Sequence, residues 1–303
     1  MDRRKINFLK IENYEHPWDK SARNTLEKMH GFTAIIRKLN EISFDRLLRI
    51  HYTGSGLKVN SNNAPEVYEV LQEACEILSI DRQPELYFHQ DSYGINAVTA
   101  DVEKSIIVLS SECADWLSPE ELMFVIAHEL GHIKSQHILY YQTASCLPTM
   151  ANLVGRATLG IGSLITVGVE MALLNWRRMS ELTADRSGLL ACQQPEVAAS
   201  VLVKMAGLPK KYYSSPTIVD EFIKQAKEFE SYDYDTLDQI AKVIGVMNQS
   251  HPWIVMRAAE LFKWVDSGEY SRVLSMHDWK LPASKPWQTL EAADRSPKPW
   301  RDD

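Results

Sequence analysis

His128 and His132 stand four residues apart, with Glu129 beside the first, in the run His128-Glu129-Leu130-Gly131-His132. On a helix that spacing puts both imidazoles on one face, a turn apart, where they can share one Zn2+ through nitrogen bonds. Glu129 then leans toward a metal-bound water and can take its proton. The competing reading is two histidines packed in a core. Against it stands the context, an apolar stretch carrying Met123, Phe124, Val125, Ile126 and Ile133. Helix-start signals coincide just ahead: Ser118 as N-cap, Pro119 at the first helical position, Glu121 completing a capping box and Leu117 opposite Leu122 as a hydrophobic staple. They predict one long helix running through the motif.

A hydrolytic zinc site needs a third protein ligand and one open position. The metzincin solution would place a glycine at position 135 and a histidine at 138, but Ser135 and Ile138 stand there. The gluzincin solution takes a glutamate from a second helix. Ser180-Glu181-Leu182-Thr183-Ala184-Asp185 offers Glu181 with Asp185 one turn later. Glu181 can bind the metal while Asp185 accepts a hydrogen bond from the far nitrogen of a ligand histidine and fixes its tautomer. Taken alone, the two carboxylates read as a solvated acidic pair beside Arg177, Arg178 and Arg186; next to the upstream motif they read as ligand and support.

The elements that must hold these helices are visible around them. Pro65 at a first helical position, with Val67, Val70, Leu71, Ala74 and Leu78 at helical spacing, predicts a helix that packs on a sheet. Runs rich in Ile, Val, Tyr and Phe at 85–89, 95–99 and 105–109 supply the strands. A helix over 175–193 carries Glu181 and Asp185, and further helical periods lie at 218–230 and 237–247. Residues 1–56 read as a helical N-terminal appendage closed by a flexible joint at Thr53-Gly-Ser-Gly56, residues 57–281 as the main domain, and 282–303 as a mobile tail. From Ser135 to Trp176 the formal charges are Arg156 and Glu170. A spanning helix needs about 20 consecutive apolar residues, and Pro148, Gly155 and Arg156 interrupt this run. Residues 147–176 are therefore expected to form a buried hairpin or one in peripheral membrane contact, in preference to a transmembrane passage.

With 45% hydrophobic and 24% charged residues in 303, the chain is an ordinary globular one and wholesale disorder is excluded. A net charge of -7 without a concentrated basic surface argues against nucleic acid as the main partner. Cys75, Cys113, Cys146 and Cys192 are widely spaced, lack a C-x-x-C pair and read as reduced thiols. The opening ten residues are charged, with no apolar core of a secretory signal peptide. A cytoplasmic protein is expected, unless the low-charge segment associates it with a membrane.

Together the motifs resemble a known family. The run at 128–132, then Glu181-Leu182-Thr183-Ala184-Asp185-Arg186, then Ser250-His251-Pro252 with Arg257 beyond, follow the order and spacing of the M48 zinc metallopeptidases across roughly residues 80–265. Glu15-His16-Pro17-Trp18-Asp19, the Asn96-Ala97 pair and Trp264 are similar to the soluble bacterial and plastid-type members, and the tail beyond Val273 is not covered. The resemblance implies an α+β fold, a mostly helical zincin-type metallopeptidase domain with a small mixed sheet and the active-site helix beneath it. It implies a zinc-dependent endopeptidase acting on protein or peptide substrates, in protein quality control, with one Zn2+ per chain on His128, His132 and Glu181, and Glu129 catalytic. It also implies that Asn96 and Ala97 lie on an edge to which a peptide adds as a strand, that His251 stabilises the oxyanion, and that Arg257 orients the carboxylates near the zinc. A structural turn is the alternative for Asn96 and Ala97, and plain loop punctuation for His251. His137, five positions after His132, reads as support and not as a ligand. Membrane-bound relatives carry spans between the two zinc motifs; the interruptions in 147–176 and the lack of an N-terminal span depart from them. Two rivals stay open: a zinc-bound but idle adaptor, and a latent or structural site closed by His251 as fourth ligand.

Overall fold

The computed structural model describes residues 3–29, 32, 36, 44–90, 94–100, 104–145, 161–215, 217–231 and 253–278. After a 3-10 turn at Ile11–Asn13, the chain runs through α1 (Pro17–Lys28), α2 (Phe44–Ser55), β1 (Leu57–Val59), α3 (Pro65–Ile77), β2 (Glu85–His89), β3 (Ala97–Ala100) and β4 (Ile106–Ser110). It continues through α4 (Ser111–Trp116), α5 (Pro119–Lys134), a helical stretch over 137–145, α6 (Ile161–Cys192), α7 (Pro195–Met205), α8 (Ile218–Ser231), α9 (Ile254–Asp266) and α10 (Glu269–Leu274). The fold is mostly helical α+β with a small mixed sheet.

β4 is apolar at four consecutive positions and buried at all five, which requires cover on both faces of the sheet. The sheet order is β1-β2-β4-β3, with β2 and β4 parallel and both outer pairs antiparallel. Ile107 and Leu109, with Leu86 and Val59, face the main core under α3 and α5. Ile106 and Val108, with Tyr87 and Ala100, face the other way, onto Leu48 and Tyr52 of α2. Burying each such aliphatic side chain is worth about 1.5–3 kcal/mol, so the short strands are held by their two covers as much as by their ladders.

α5 is buried without a break from Glu121 to His132, as befits a helix that is apolar around its circumference. It packs on α3, α6, α7 and β3. The expected helix over 175–193 begins no later than Ile161 and extends the low-charge run as one helix from there. From Val169 on, its apolar face is covered: Val169, Leu173 and Trp176 pack on Ala22 and Leu26 of α1 and on Phe32. Residues 147–160 of the expected hairpin lie outside the described residues. Among the described residues no helix is long and apolar enough to cross a membrane.

The N-terminal residues enter the main core, with Ile6, Leu9 and Tyr14 buried in it. Where the sequence predicts a flexible joint at Thr53–Gly56, α2 instead runs to Ser55 and β1 follows at once. Gly56 is there for close approach, since a Cβ would lie 2.9 Å from both the Phe88 and the Tyr52 carbonyl oxygens. The helix at 218–230 is found as α8. The one at 237–247, His251 and the tail at 282–303 lie outside the described residues.

Candidate metal centre

The capping box that starts α5 forms as expected: Ser118 Oγ accepts from Glu121 N–H at 3.3 Å and Glu121 Oε2 accepts from Ser118 N–H at 2.8 Å. Ser200 and Lys204 of α7 grip the same carboxylate at 2.6 and 2.7 Å, which pins the helix. Its inner face then brings His128 Nε2 and His132 Nε2 to 3.2 Å from each other. From α6, Glu181 places Oε2 3.5 Å from His128 Nε2 and Oε1 3.7 Å from His132 Nε2. Ligand atoms on a tetrahedral zinc with bonds of about 2.0–2.1 Å are about 3.3–3.4 Å apart, close to these separations. Gly131 allows the helices to meet this closely, since a Cβ there would lie 2.7 Å from Ser187 Cβ and 3.2 Å from Ala184 Cα.

Hydrogen bonds behind the imidazoles decide which nitrogens carry protons. Asp185 Oδ1 lies 3.1 Å from His128 Nδ1, so Nδ1–H donates and Nε2 of the neutral ring keeps its lone pair. Asp19 Oδ2 lies 3.2 Å from His137 Nε2, which donates. His137 Nδ1 therefore accepts from His132 Nδ1–H at 2.9 Å, and His132 Nε2 keeps its lone pair as well. Two lone pairs and a carboxylate facing one another repel unless a cation sits among them. The donor set thus fits a metal ion, and His128, His132 and Glu181 can hold it.

The surrounding charges point the same way. Arg257 grips Asp185 through Nε at 2.8 Å and Nη2 at 2.6 Å, and its Nη1 lies 3.4 Å from Glu181 Oε2. Burial pushes the Asp185 carboxyl up, but Arg257 outweighs it and holds it below its ordinary value. Burial depresses His128, yet Asp185 and Glu181 overcome that and raise it to about 9, while burial drives His132 well below its ordinary value. The site as a whole calls for positive charge, which a metal supplies in place of a proton. Burial also raises Glu129, whose Oε2 accepts from Thr99 Oγ1 at 2.5 Å. Tyr141 Oη donates to Glu181 Oε1 at 2.5 Å.

A model of peptidase family M48 matches residues 61–265, a stretch that contains both helices bearing these side chains. The chain belongs to peptidase family M48. Its class is that of a metallopeptidase, a hydrolase of peptide bonds. Among M48-type relatives, the plastoglobule-localized metallopeptidase 48 of Arabidopsis thaliana chloroplasts is 31% identical over 91% of this chain and 79% of its own length. A protease HtpX homolog 2 of Methanosarcina acetivorans is 28% identical over 50% of this chain and 58% of its own. No solved structure matches the chain.

The M48 site opens on a cleft of about 290 Å³ lined by the three metal-facing side chains and Glu129. Asn96 and Ala97 line it too, at the start of β3, an outer strand of the sheet. The Asn96 main chain is tied to β4: its carbonyl accepts from Ser110 N–H at 2.8 Å, and its N–H donates to Ser110 Oγ at 3.1 Å. Of the residues expected from the sequence, His128, Glu129, His132, Glu181, Asp185, Arg257, Asn96 and Ala97 all meet here; His251 lies outside the described residues. Sequence reasoning missed Asp19, Thr99, Tyr141 and the cleft-lining Arg177. Asp19, Thr99 and Tyr141 reach the site from other elements of the fold, whereas Arg177 stands one turn before Glu181 on α6 and reads in the sequence only as a neighbour of the acidic pair.

Proposed function

We propose that this M48 chain is a zinc-dependent endopeptidase that cuts extended segments of protein substrates, with protein quality control as its setting. The observation that supports it is the convergence of His128, His132 and Glu181, whose ligand atoms lie within 4.8 Å of one another, beside Glu129 on the wall of an open cleft. In this reading the three side chains hold one Zn2+, which when bound polarises a carbonyl and acidifies water.

The chain's own residues do the rest. Glu129 takes a proton at its carboxylate and hands it to the leaving amine. Thr99 occupies Oε2, and the other oxygen has no hydrogen bond among the described residues, so it is the one that works. Asp185, and His137 backed by Asp19, keep both Nε2 atoms free of protons. Arg257 balances Asp185 and Glu181. The substrate main chain adds to the outer edge of β3 from Ala97 on, beside Asn96, whose own main chain faces β4, and His251 contributes an oxyanion donor.

The test is incubation of zinc-loaded protein with casein, with and without chelator, followed by mass spectrometry of the fragments. Chelator-sensitive internal cleavage is expected. Glu129→Gln should keep one zinc per chain and lose cleavage by about a hundredfold or more. A zinc-loaded wild type that leaves casein intact defeats the endopeptidase reading and favours an idle adaptor, whose binding would survive Glu129→Gln.

A further inference from the structure

Two arginines line the cleft, and they differ in what holds them. Arg257 is buried and engaged by Asp185 and Glu181. Arg177 lies on α6 one turn before Glu181, and its guanidinium makes no hydrogen bond or ion pair among the described residues; its Nε is buried without a partner. What it does have is a platform. Its Cζ lies 5.0 Å from the centre of the Tyr141 ring, and that ring is fixed by the hydrogen bond from Tyr141 Oη to Glu181. A guanidinium stacked on an aromatic face keeps its N–H groups free at its edge, arranged as a fork that matches a carboxylate.

The charge balance asks for such a ligand. Glu129, Glu181 and Asp185 carry three negative charges, which Arg257 and a divalent metal ion offset. Arg177 then remains as a surplus positive charge on the cleft wall, close to where substrate must lie and partly shielded from water, where ionic hydrogen bonds are stronger than on an open surface.

We propose that Arg177 forms a carboxylate-binding subsite of this cleft, selecting substrates that carry an acidic side chain or a free carboxy-terminus close to the scissile bond. The proposal rests on the peptidase reading for its substrate class, but not on turnover for its test. Ile95, Phe124, Val125, Ile138 and Met205 also line the cleft, so apolar surface accompanies the charged group there.

The experiment measures binding in a zinc-loaded Glu129→Gln background by fluorescence anisotropy. The probes are labelled octapeptides in which Asp, Asn or Lys is placed at each position in turn, with the carboxy-terminus free or amidated. At one register the Asp peptide should bind about tenfold more tightly than its Asn counterpart, and the margin should shrink with salt. Adding Arg177→Gln should abolish that margin, and Arg177→Glu should transfer it to Lys. An Arg177-dependent margin between Asp and Asn identifies a side-chain carboxylate; an Arg177-dependent margin between free and amidated peptides, with Asp and Asn alike, identifies the chain terminus. Asp-to-Asn and free-to-amidated ratios that are both the same with and without Arg177, or no peptide binding at all, overturn the subsite. Zinc content and melting temperature of each variant guard against misfolding. Failure of the wild type to cleave casein would defeat the peptidase reading while leaving this result standing.

Discussion

Asp19 Oδ2 and His137 Nε2 meet at 3.2 Å in the interior, their side chains 0% and 1% exposed, directly behind His132. Thr183 donates to the same Asp19 oxygen at 2.5 Å. α1 lies outside the matched stretch 61–265, yet it supplies the carboxylate that sets the proton position of His132. Asp19→Asn should weaken zinc binding by about 10- to 100-fold. Competition against a chromophoric chelator measures this; an unaltered affinity would detach the N-terminal helix from the metal site.

Thr99 Oγ1 donates to the Glu129 carboxylate at Oε2, 2.5 Å away, and lies 3.4 Å from the Glu129 carbonyl oxygen. Thr99→Val keeps the shape and removes the donor, freeing the carboxylate to sample unproductive rotamers. Turnover should fall by about tenfold with zinc content unchanged and KM little affected. Steady-state kinetics on casein-derived peptides, alongside metal analysis, check it.

Gly131 and Gly54 should respond to alanine in opposite directions. Alanine gains about 1 kcal/mol over glycine from helix propensity alone. At Gly131 that gain meets Ser187 at 2.7 Å, and such overpacking costs about 1–3 kcal/mol. Gly54 near the end of α2 has nothing within 4 Å. Gly131→Ala should therefore lower the melting temperature and loosen zinc, whereas Gly54→Ala should be neutral or stabilising. Calorimetry of both variants decides.

Acidification should loosen the start of α1. His16 caps that helix by accepting from Trp18 N–H at 3.2 Å and bonds Glu260 at 3.0 Å. Burial, ahead of the opposing pull of Glu260, lowers its pKa below the ordinary 6.5. The unfolded chain thus binds the proton more readily, so this contribution to stability is present above about pH 6.5 and is lost as the pH falls below it. His16→Gln should reduce the difference in melting temperature between pH 7.5 and 5.5. An equal difference in both proteins would place the acid sensitivity elsewhere.

Much of the site was legible because it depends on neighbours along the chain. His128 with His132, and Glu181 with Asp185, are one helical turn apart, and the Ser118–Glu121 box starts the motif helix where local hydrogen bonding says it must. The strand at 85–89 was legible to the residue, while β3 and β4 are displaced by one or two positions from the expected 95–99 and 105–109. Their ends are set by pairing, as where Ser110 N–H reaches the Asn96 carbonyl. β1, only three residues long with Leu57 and Lys58 exposed, carries no periodicity to detect; its ladder with β2 creates it.

The sequence by itself determined the chemistry on offer: two imidazoles, a base and two carboxylates at helical spacing, and the family to which that pattern belongs. Only the tertiary structure decided what stands behind and beside them: Asp19 backing the supporting His137, Tyr141 holding Glu181, Thr99 aiming Glu129, Arg177 lining the cleft. Spacing of three or four residues is enforced by the helix itself, whereas contacts between remote segments arise from packing two helices at a glycine and closing α1 over them. No local pattern encodes that.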